Sequence, residues 1–248
     1  MSRIEDAGLN ASAPSQQRLI DGWLLRFSPG KARRARCVNA VAPGRLPVAH
    51  KLALCEAVYA EVGLPLIVRI TPFSEPPELD RSLADAGMRS ISETRVMVLP
   101  DLSCIDARAL PRDVTLQRLG HDAFAQTVGQ LRGSSLAQRQ AHAQRLIHAP
   151  VPFSGQALKR GGEVVGYAQM AIEGDLVGLY DVYTVPAHRD RGLAGLLCEH
   201  LLALARSQGA RVAYLQVEDN EPALALYRRL GFADAYGYHY RTRDASAS

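Results

Sequence analysis

Long apolar runs are missing from this 248-residue chain; the longest are too short to cross a bilayer, so no transmembrane helix is expected. Cysteine is scarce: Cys37, Cys55, Cys104 and Cys198 stand far apart, with no CxxC pair and no histidine at ligand spacing. Four reduced thiols and no metal site are therefore expected. The opening residues, MSRIEDAGLNASAPSQQ, have no apolar core behind a basic stretch; no secretion signal is expected, and a cytoplasmic location follows as the default. Charge of one sign is also in short supply. Lys and Arg number 29 against 25 Asp and Glu, a net +4 spread over many segments. With neither a basic tail nor aromatics interleaved with Arg and Lys, nucleic acid and membrane are not expected partners.

What is there is 47% hydrophobic and 22% charged residues, the composition of an ordinary globular protein. The length allows one large domain or two small ones. Residues 22–27 and 36–41 read as two strands joined across 28–31. Leu52, Cys55, Val58, Tyr59 and Val62 recur at helical spacing within 47–62, and Gly63 stops the helix. A strand at 64–71, a helix at 77–86 closed by Gly87 and a strand at 93–99 complete a first series. The Pro-, Asp- and Ser-containing stretch from Pro100 to Pro111 reads as a linker. The expected division is thus 1–100, a linker at 101–112, and 113–248.

The second series starts with a strand at 114–118 and helical material over 121–148, broken near Gly133-Ser134-Ser135. Strands follow at 155–159, 164–172 and 176–185, then a helix at 192–208, a strand at 213–217, a helix at 221–230 and a strand at 236–242. Strands alternating with helices indicate an α/β or α+β sheet covered by helices. A helix leading into Gly and a hydrophobe and then a strand occurs twice, at Gly87-Met88 and Gly231-Phe232. This pattern suggests an internal duplication.

The chemistry concentrates at Val182-Tyr183-Thr184-Val185-Pro186-Ala187-His188-Arg189-Asp190-Arg191-Gly192-Leu193-Ala194-Gly195. A strand ends here and a helix begins at a glycine-rich, arginine-flanked corner. The unpaired N–H groups and the dipole of a helix start form an anion site, and small residues let a diphosphate approach the main chain. There is no GxxxxGK[ST] and no GxGxxG, so a Walker A loop and a dinucleotide fold are set aside.

The run Arg189-x-x-Gly192-x-Ala194 resembles the pyrophosphate-binding signature of the GNAT acetyltransferase superfamily, Gln/Arg-x-x-Gly-x-Gly/Ala. Downstream, Asn220-Glu221-Pro222-Ala223-Leu224-Ala225-Leu226-Tyr227-Arg228-Arg229-Leu230-Gly231-Phe232 is similar to its second motif, Asn-x-x-Ala-x-x-Leu-Tyr-x-x-x-Gly-Phe. The two occur in the family's order, one helix and one strand apart, and the resemblance is specific over 176–232. It implies a mixed, splayed sheet flanked by helices, in two GNAT-like halves. The first half lacks the signature and resembles the degenerate N-terminal halves of tandem members.

The resemblance also implies roles. Acetyl-CoA would be the cosubstrate, with no metal, and the acetyl group would pass to a primary amine of a small or amino-acid-like molecule by direct attack in a ternary complex. The backbone of Val182, Tyr183 and Thr184 would bind pantetheine. The main chain of Asp190, Arg191, Gly192, Leu193, Ala194 and Gly195 would hold the pyrophosphate, with Arg189 and Arg191 adding charge. Asn220 matches the CoA-contacting Asn, or is a helix N-cap. Tyr227 matches the acid that protonates the departing thiolate, or is simply a core tyrosine. Where relatives often carry a basic Glu, this chain has Gln216, which cannot accept a proton. Asp181, a carboxylate inside an apolar strand, and Glu218 are the neighbouring substitutes. The basic cluster Arg26, Lys31, Arg33, Arg34 and Arg36 reads as a solvated hairpin in preference to a surface facing an acidic acceptor across an interdomain cleft. An acyl-CoA-binding module without turnover is the alternative that Gln216 keeps open, and monomer and homodimer are both compatible with the sequence.

Overall fold

The computed structural model of the chain describes every residue except 29, 31, 220 and 245–248, so the Lys31 and Asn220 of the sequence reading lie outside the described residues. In chain order the elements are α1 (Ser2–Ala11), β1 (Gln16–Ile20), β2 (Trp23–Phe27), β3 (Val38–Ala40), α2 (Val48–Glu61), β4 (Ile67–Ile70), α3 (Leu79–Asp85) and β5 (Arg89–Leu99). There follow β6 (Val114–Leu119), α4 (His121–Leu131), α5 (Leu136–Ile147), β7 (Phe153–Arg160), β8 (Glu163–Glu173), β9 (Leu176–Thr184), α6 (Leu193–Ser207), β10 (Val212–Glu218), α7 (Glu221–Arg229) and β11 (Ala233–Thr242). The mixed α/β class expected from the sequence is what the chain adopts.

Two compact units emerge, and the chain ends do not stay with their own halves. One unit holds Arg3–Ala11 and Val96–Ala235, the other Ser12–Arg95 and Tyr236–Ser248. Each of β5 and β11 therefore begins in one unit and ends in the other. The helix ends that launch these strands have the same geometry. Met88 N–H donates to Leu83 O at 3.0 Å and Phe232 N–H to Tyr227 O at 3.0 Å. Gly87 and Gly231 sit between at φ of +80° and +91°, a Schellman-type ending in both cases.

In the unit that contains Val96–Ala235 the strand order is β5-β10-β9-β8-β7-β6. β10 and β9 are parallel, while β9, β8, β7 and β6 are successively antiparallel. Helix α6 puts Leu197, Leu201, Leu202 and Ala205 against Ala168, Met170, Val177, Leu179 and Leu215 on one sheet face. The other face packs Tyr167 and Phe153 beneath Phe124 and Val128 of α4, Leu146 of α5 and Ala11 of α1. Helix α1, not foreseen from the sequence, buries Ile4, Ala7, Gly8 and Ala11, an i, i+3, i+4, i+7 stripe. The segment 101–112 is tied to the same unit. Leu102 N–H donates to Arg211 O at 2.8 Å, Arg206 Nη1 to Ile105 O at 2.7 Å, and Arg108 Nε to both Glu199 oxygens at 3.0 and 2.8 Å.

The other unit orders its strands β1-β2-β3-β4-β11-β5. Its core joins Trp23, Leu25, Val38, Leu52, Tyr59, Val68 and Leu83. β2 pairs antiparallel with β3, as the hairpin reading requires, and β1 adds a strand on the far side of β2; Arg26, expected to be solvated, is instead 2% exposed and donates Nη1–H to Ser12 Oγ at 3.2 Å. The four cysteines are free thiols, with Cys37, Cys55 and Cys198 buried and Cys104 exposed.

Candidate active site

The site starts from a fork. β9 and β10 pair in parallel from Leu176↔Val212 to Leu179↔Leu215, and beyond that register Tyr180–Thr184 and Gln216–Glu218 do not pair with each other. Beside the fork the hydroxyls of Tyr180 and Tyr214 meet at 2.7 Å. The parting of β9 coincides with a bulge. Its register against β8 shifts between Tyr167 and Gln169, and Asp181 adopts a left-handed φ of +51°. Such a bulge re-aims a side chain out of the strand's alternation, and Asp is among the residues that tolerate this conformation. The amides and carbonyls that the fork exposes belong to the stretch that holds Val182, Tyr183 and Thr184.

After β9, a 3-10 turn at Pro186–His188 leads into α6, whose N-cap is Gly192 at φ +72°. Asp190 is also left-handed, at φ +59°. Among the described residues no side chain caps this helix, and its first turn carries no acidic residue. The first intrahelical bond runs from Leu196 N–H to Gly192 O, which leaves the N–H groups of Leu193, Ala194 and Gly195 to an external acceptor. A β-carbon on Gly192 would meet nothing within 4 Å, so the approach to these amides is open. The chemistry of this corner fits a diphosphate. Arg189 turns back, Nε donating to Thr184 O at 3.3 Å with the guanidinium 5.9 Å from the Tyr183 ring, and Arg191 is exposed at the turn.

Tyr227 lies on the buried side of α7, 8% exposed, in the core beneath α6. Its ring meets Phe232 edge to face at 6.0 Å. Burial, with the Cys198 thiol beside it, drives its phenol well above the ordinary tyrosine value, so the hydroxyl carries its proton throughout the physiological range.

Asp181 is the centre of a polar cluster on the opposite sheet face. Its Oδ2 accepts from Gln169 Nε2 at 2.6 Å, its Oδ1 lies 3.4 Å from Arg132 Nη1, and His142 Nε2 stands 4.0 Å from Oδ2. Burial pushes this carboxyl upward, but Arg132, His142, Arg145 and the Gln169 bond outweigh it and hold Asp181 below the usual carboxylate range. Arg132 also donates Nε–H to Tyr167 OH at 2.7 Å. Its guanidinium lies 5.6 Å and 5.7 Å from the centres of the Tyr167 and Tyr183 rings, which are themselves stacked at 5.0 Å. Arg132 is fixed by the helix break that the sequence marks at 133–135. There Ser135 and Gln138 form a reciprocal capping box at the start of α5.

The geometry thus brings Asp181, Tyr183 and the Gly192 corner to one end of β9, with Tyr227 buried under α6. Glu218 is exposed at the end of β10, and Gln216 lies against Gly8 of α1. Arg132, His142, Gln169 and Tyr167 escaped the sequence reading because they lie outside the two motifs. The one available signal was His142 next to the buried positions Ala143 and Leu146 of an amphipathic helix.

Comparison with known proteins agrees with this architecture. Over 240 residues, 92% of each chain, the sequence is 24% identical to a protein of Bacillus subtilis (strain 168) named "Uncharacterized N-acetyltransferase YobR". It is 31% identical over 202 residues to a mycothiol acetyltransferase of Clavibacter sepedonicus, covering 74% of this chain and 64% of that protein. Among solved structures, a GCN5-related N-acetyltransferase from Kribbella flavida superposes with a TM-score of 0.71 at 17% identity, over 97% of this chain and 94% of that one. That likeness is one of fold. The family described as "Probable histone acetyltransferase Rv0428c C-terminal" matches residues 1–241; the chain belongs to that family and is an acyltransferase of the GNAT type.

Proposed function

We propose that the chain moves the acetyl group of acetyl-CoA to a primary amine of a small or amino-acid-like molecule, by direct attack within a ternary complex. The observation that carries this reading is the fork between β9 and β10 opening beside an uncapped helix start. The parted strands offer pantetheine the main chain of Val182, Tyr183 and Thr184. The amides from Asp190 to Gly195 offer its diphosphate an anion cradle whose helical first turn carries no acidic residue, with Arg189 and Arg191 supplying charge. Asn220 keeps the role that the motif gives it.

Bound acetyl-CoA supplies an activated thioester. Asp181, ionised and partly open to solvent, accepts a proton from the incoming ammonium, and Tyr227, held fully protonated, gives one to the leaving thiolate. We assign catalysis to 113–248 and read 1–100, on the far side of the 101–112 segment, as a GNAT-like half without a cofactor signature of its own. The small acceptor is supported by the name of the mycothiol acetyltransferase relative; the family's description names a histone instead. We further propose a cytoplasmic monomer or homodimer that uses no metal and engages neither nucleic acid nor membrane.

The test is thiol release from acetyl-CoA with four amines: spermidine, glucosamine, lysine methyl ester and a lysine-containing histone-tail peptide. Turnover on any of the first three, with Tyr227→Phe lowering kcat much more than acetyl-CoA affinity, is the expected result. Turnover on the peptide alone would replace the small acceptor by a protein. Acetyl-CoA binding without release on any amine would reduce the chain to an acyl-CoA-binding module.

A further inference from the structure

His142 stands in an unusual position behind Asp181. Its Nε2 is buried and has no hydrogen-bond partner among the described residues, yet it points at Asp181 Oδ2 from 4.0 Å, about 1 Å beyond hydrogen-bond length. The His142 side chain is 18% exposed against 26% for that of Asp181, so the ring is the more buried of the two. Phe124 meets the ring edge to face at 6.2 Å. A buried imidazole nitrogen with no partner except a carboxylate just out of reach is an arrangement that a proton would complete.

We propose that His142 stores the proton taken from the acceptor: the ammonium gives it to Asp181, and Asp181 passes it to His142 Nε2. This rests on the reading of Asp181 given above. In the first transfer an ammonium N–H bond breaks, its electron pair stays on the amine nitrogen, and an O–H bond forms on Asp181. In the second the O–H bond breaks, an N–H bond forms at Nε2, and a carboxylate and an imidazolium face each other across a gap that the ring closes by moving about 1 Å.

The surroundings supply the reason for such a store. The Gln169 bond, Arg132 and Arg145 make Asp181 a poor holder of a proton. The ordinary imidazole value lies about 2.6 pH units above that of Asp, so a proton rests more readily on the ring than on the carboxylate. His142 is ready to receive it. Burial, together with Arg145 of α5 and Arg132 at the end of α4, lowers its affinity for a proton against the opposing pull of Asp181 on β9, so the resting ring is neutral at pH 7. The same two arginines oppose an imidazolium and an ionised Asp181 favours it, which couples the second transfer to recovery of the carboxylate. Tyr167 of β8, which bonds Arg132, is pushed up to about 12 and stays neutral.

The experiment is a set of four pH profiles of kcat/KM, for the wild type, His142→Gln, His142→Asn and Asp181→Asn. Each uses the amine of the four above that turns over fastest, with acetyl-CoA affinity measured by calorimetry and His142 followed by NMR titration in the wild type. The expected result is an acid limb that coincides with the NMR ionisation of His142. In His142→Gln, kcat/KM should fall about 100-fold with acetyl-CoA affinity and the melting temperature at pH 7 kept, and that limb should vanish. If Asp181→Asn is impaired but both His142 variants keep the wild-type rate, or lose rate while retaining the wild-type limb, the store is refuted and Asp181 stands. If Asp181→Asn is unimpaired, the reading of Asp181 fails and the store fails with it. If His142→Gln does not fold, His142→Asn and the match between limb and titration decide.

Discussion

Phe124 leaves no room for a side chain on Gly155: a β-carbon there would stand 2.8 Å from Phe124 Cγ. The ring is 1% exposed and meets Tyr167 edge to face at 5.9 Å as well as His142, so it cannot yield without disturbing the cluster around Asp181. Overpacking of this kind costs about 2 kcal/mol. Gly155→Ala is therefore expected to lower Tm by roughly 4–8 °C in calorimetry and to reduce turnover. Gly120→Ala is the control, because a β-carbon there meets nothing within 4 Å, and it should stay within about 0.5 kcal/mol of the wild type.

Gly192 is constrained by backbone rather than by space. At φ +72° a valine is strained by about 1–2 kcal/mol, and its methyl groups would stand in the open approach to the amides of Leu193, Ala194 and Gly195. Gly192→Val should weaken acetyl-CoA binding at least tenfold in calorimetry while Tm falls by only a few degrees. An unchanged affinity would remove the helix start from the cofactor site.

Acidification should act on the same cluster through two windows. His142 has its folded value lowered from 6.5, so the unfolded chain binds the proton first, and stability is lost as pH falls below 6.5. Asp181 is also lowered, from 3.8; its contribution is complete above that value and is lost only as pH falls below it, through the folded value. Tm should therefore decline between pH 7 and 5, and His142→Gln should flatten that decline. Asp181→Asn should act on the loss below pH 4. A His142→Gln protein whose Tm follows the wild type at every pH would exclude His142 from the first window.

Much of this architecture is legible in the sequence for identifiable reasons. Helices stopped by Gly63, Gly87, Gly209 and Gly231 announce their ends because the residue after each helix is left-handed. The Gly192 corner is readable because phosphate chemistry demands small residues and free amides in one continuous run. Helix α1 was missed because its buried stripe consists of Ile4, Ala7, Gly8 and Ala11, too small and too weakly apolar to stand out. The assignment of chain ends to compact units could not be read either. Nothing local to β5 or β11 tells which residue is the last to pack with its own neighbours. The cluster around Asp181 draws on positions 132, 142, 167 and 169, brought together only by a helix break and a strand bulge.

The planar head of Arg132 does three things at once. It donates Nε–H to Tyr167 OH, lies over the stacked Tyr167 and Tyr183 rings, and faces Asp181 with Nη1. A lysine keeps the charge near Asp181 but has no planar fork with which to bond the phenol and cover both rings. Arg132→Lys should therefore leave acetyl-CoA affinity and the low-pH behaviour of Asp181 in place, while kcat/KM for the amine falls about tenfold as the tyrosine stack loosens. Arg132→Met removes the charge as well, so the Asp181 carboxyl should move up toward the ordinary carboxylate range and its titration by NMR should shift with it. Equal kcat/KM in Arg132→Lys and wild type would show that the tyrosine stack does not bear on turnover, whereas an Asp181 titration unmoved in Arg132→Met would show that the guanidinium is not what keeps that carboxylate ionised.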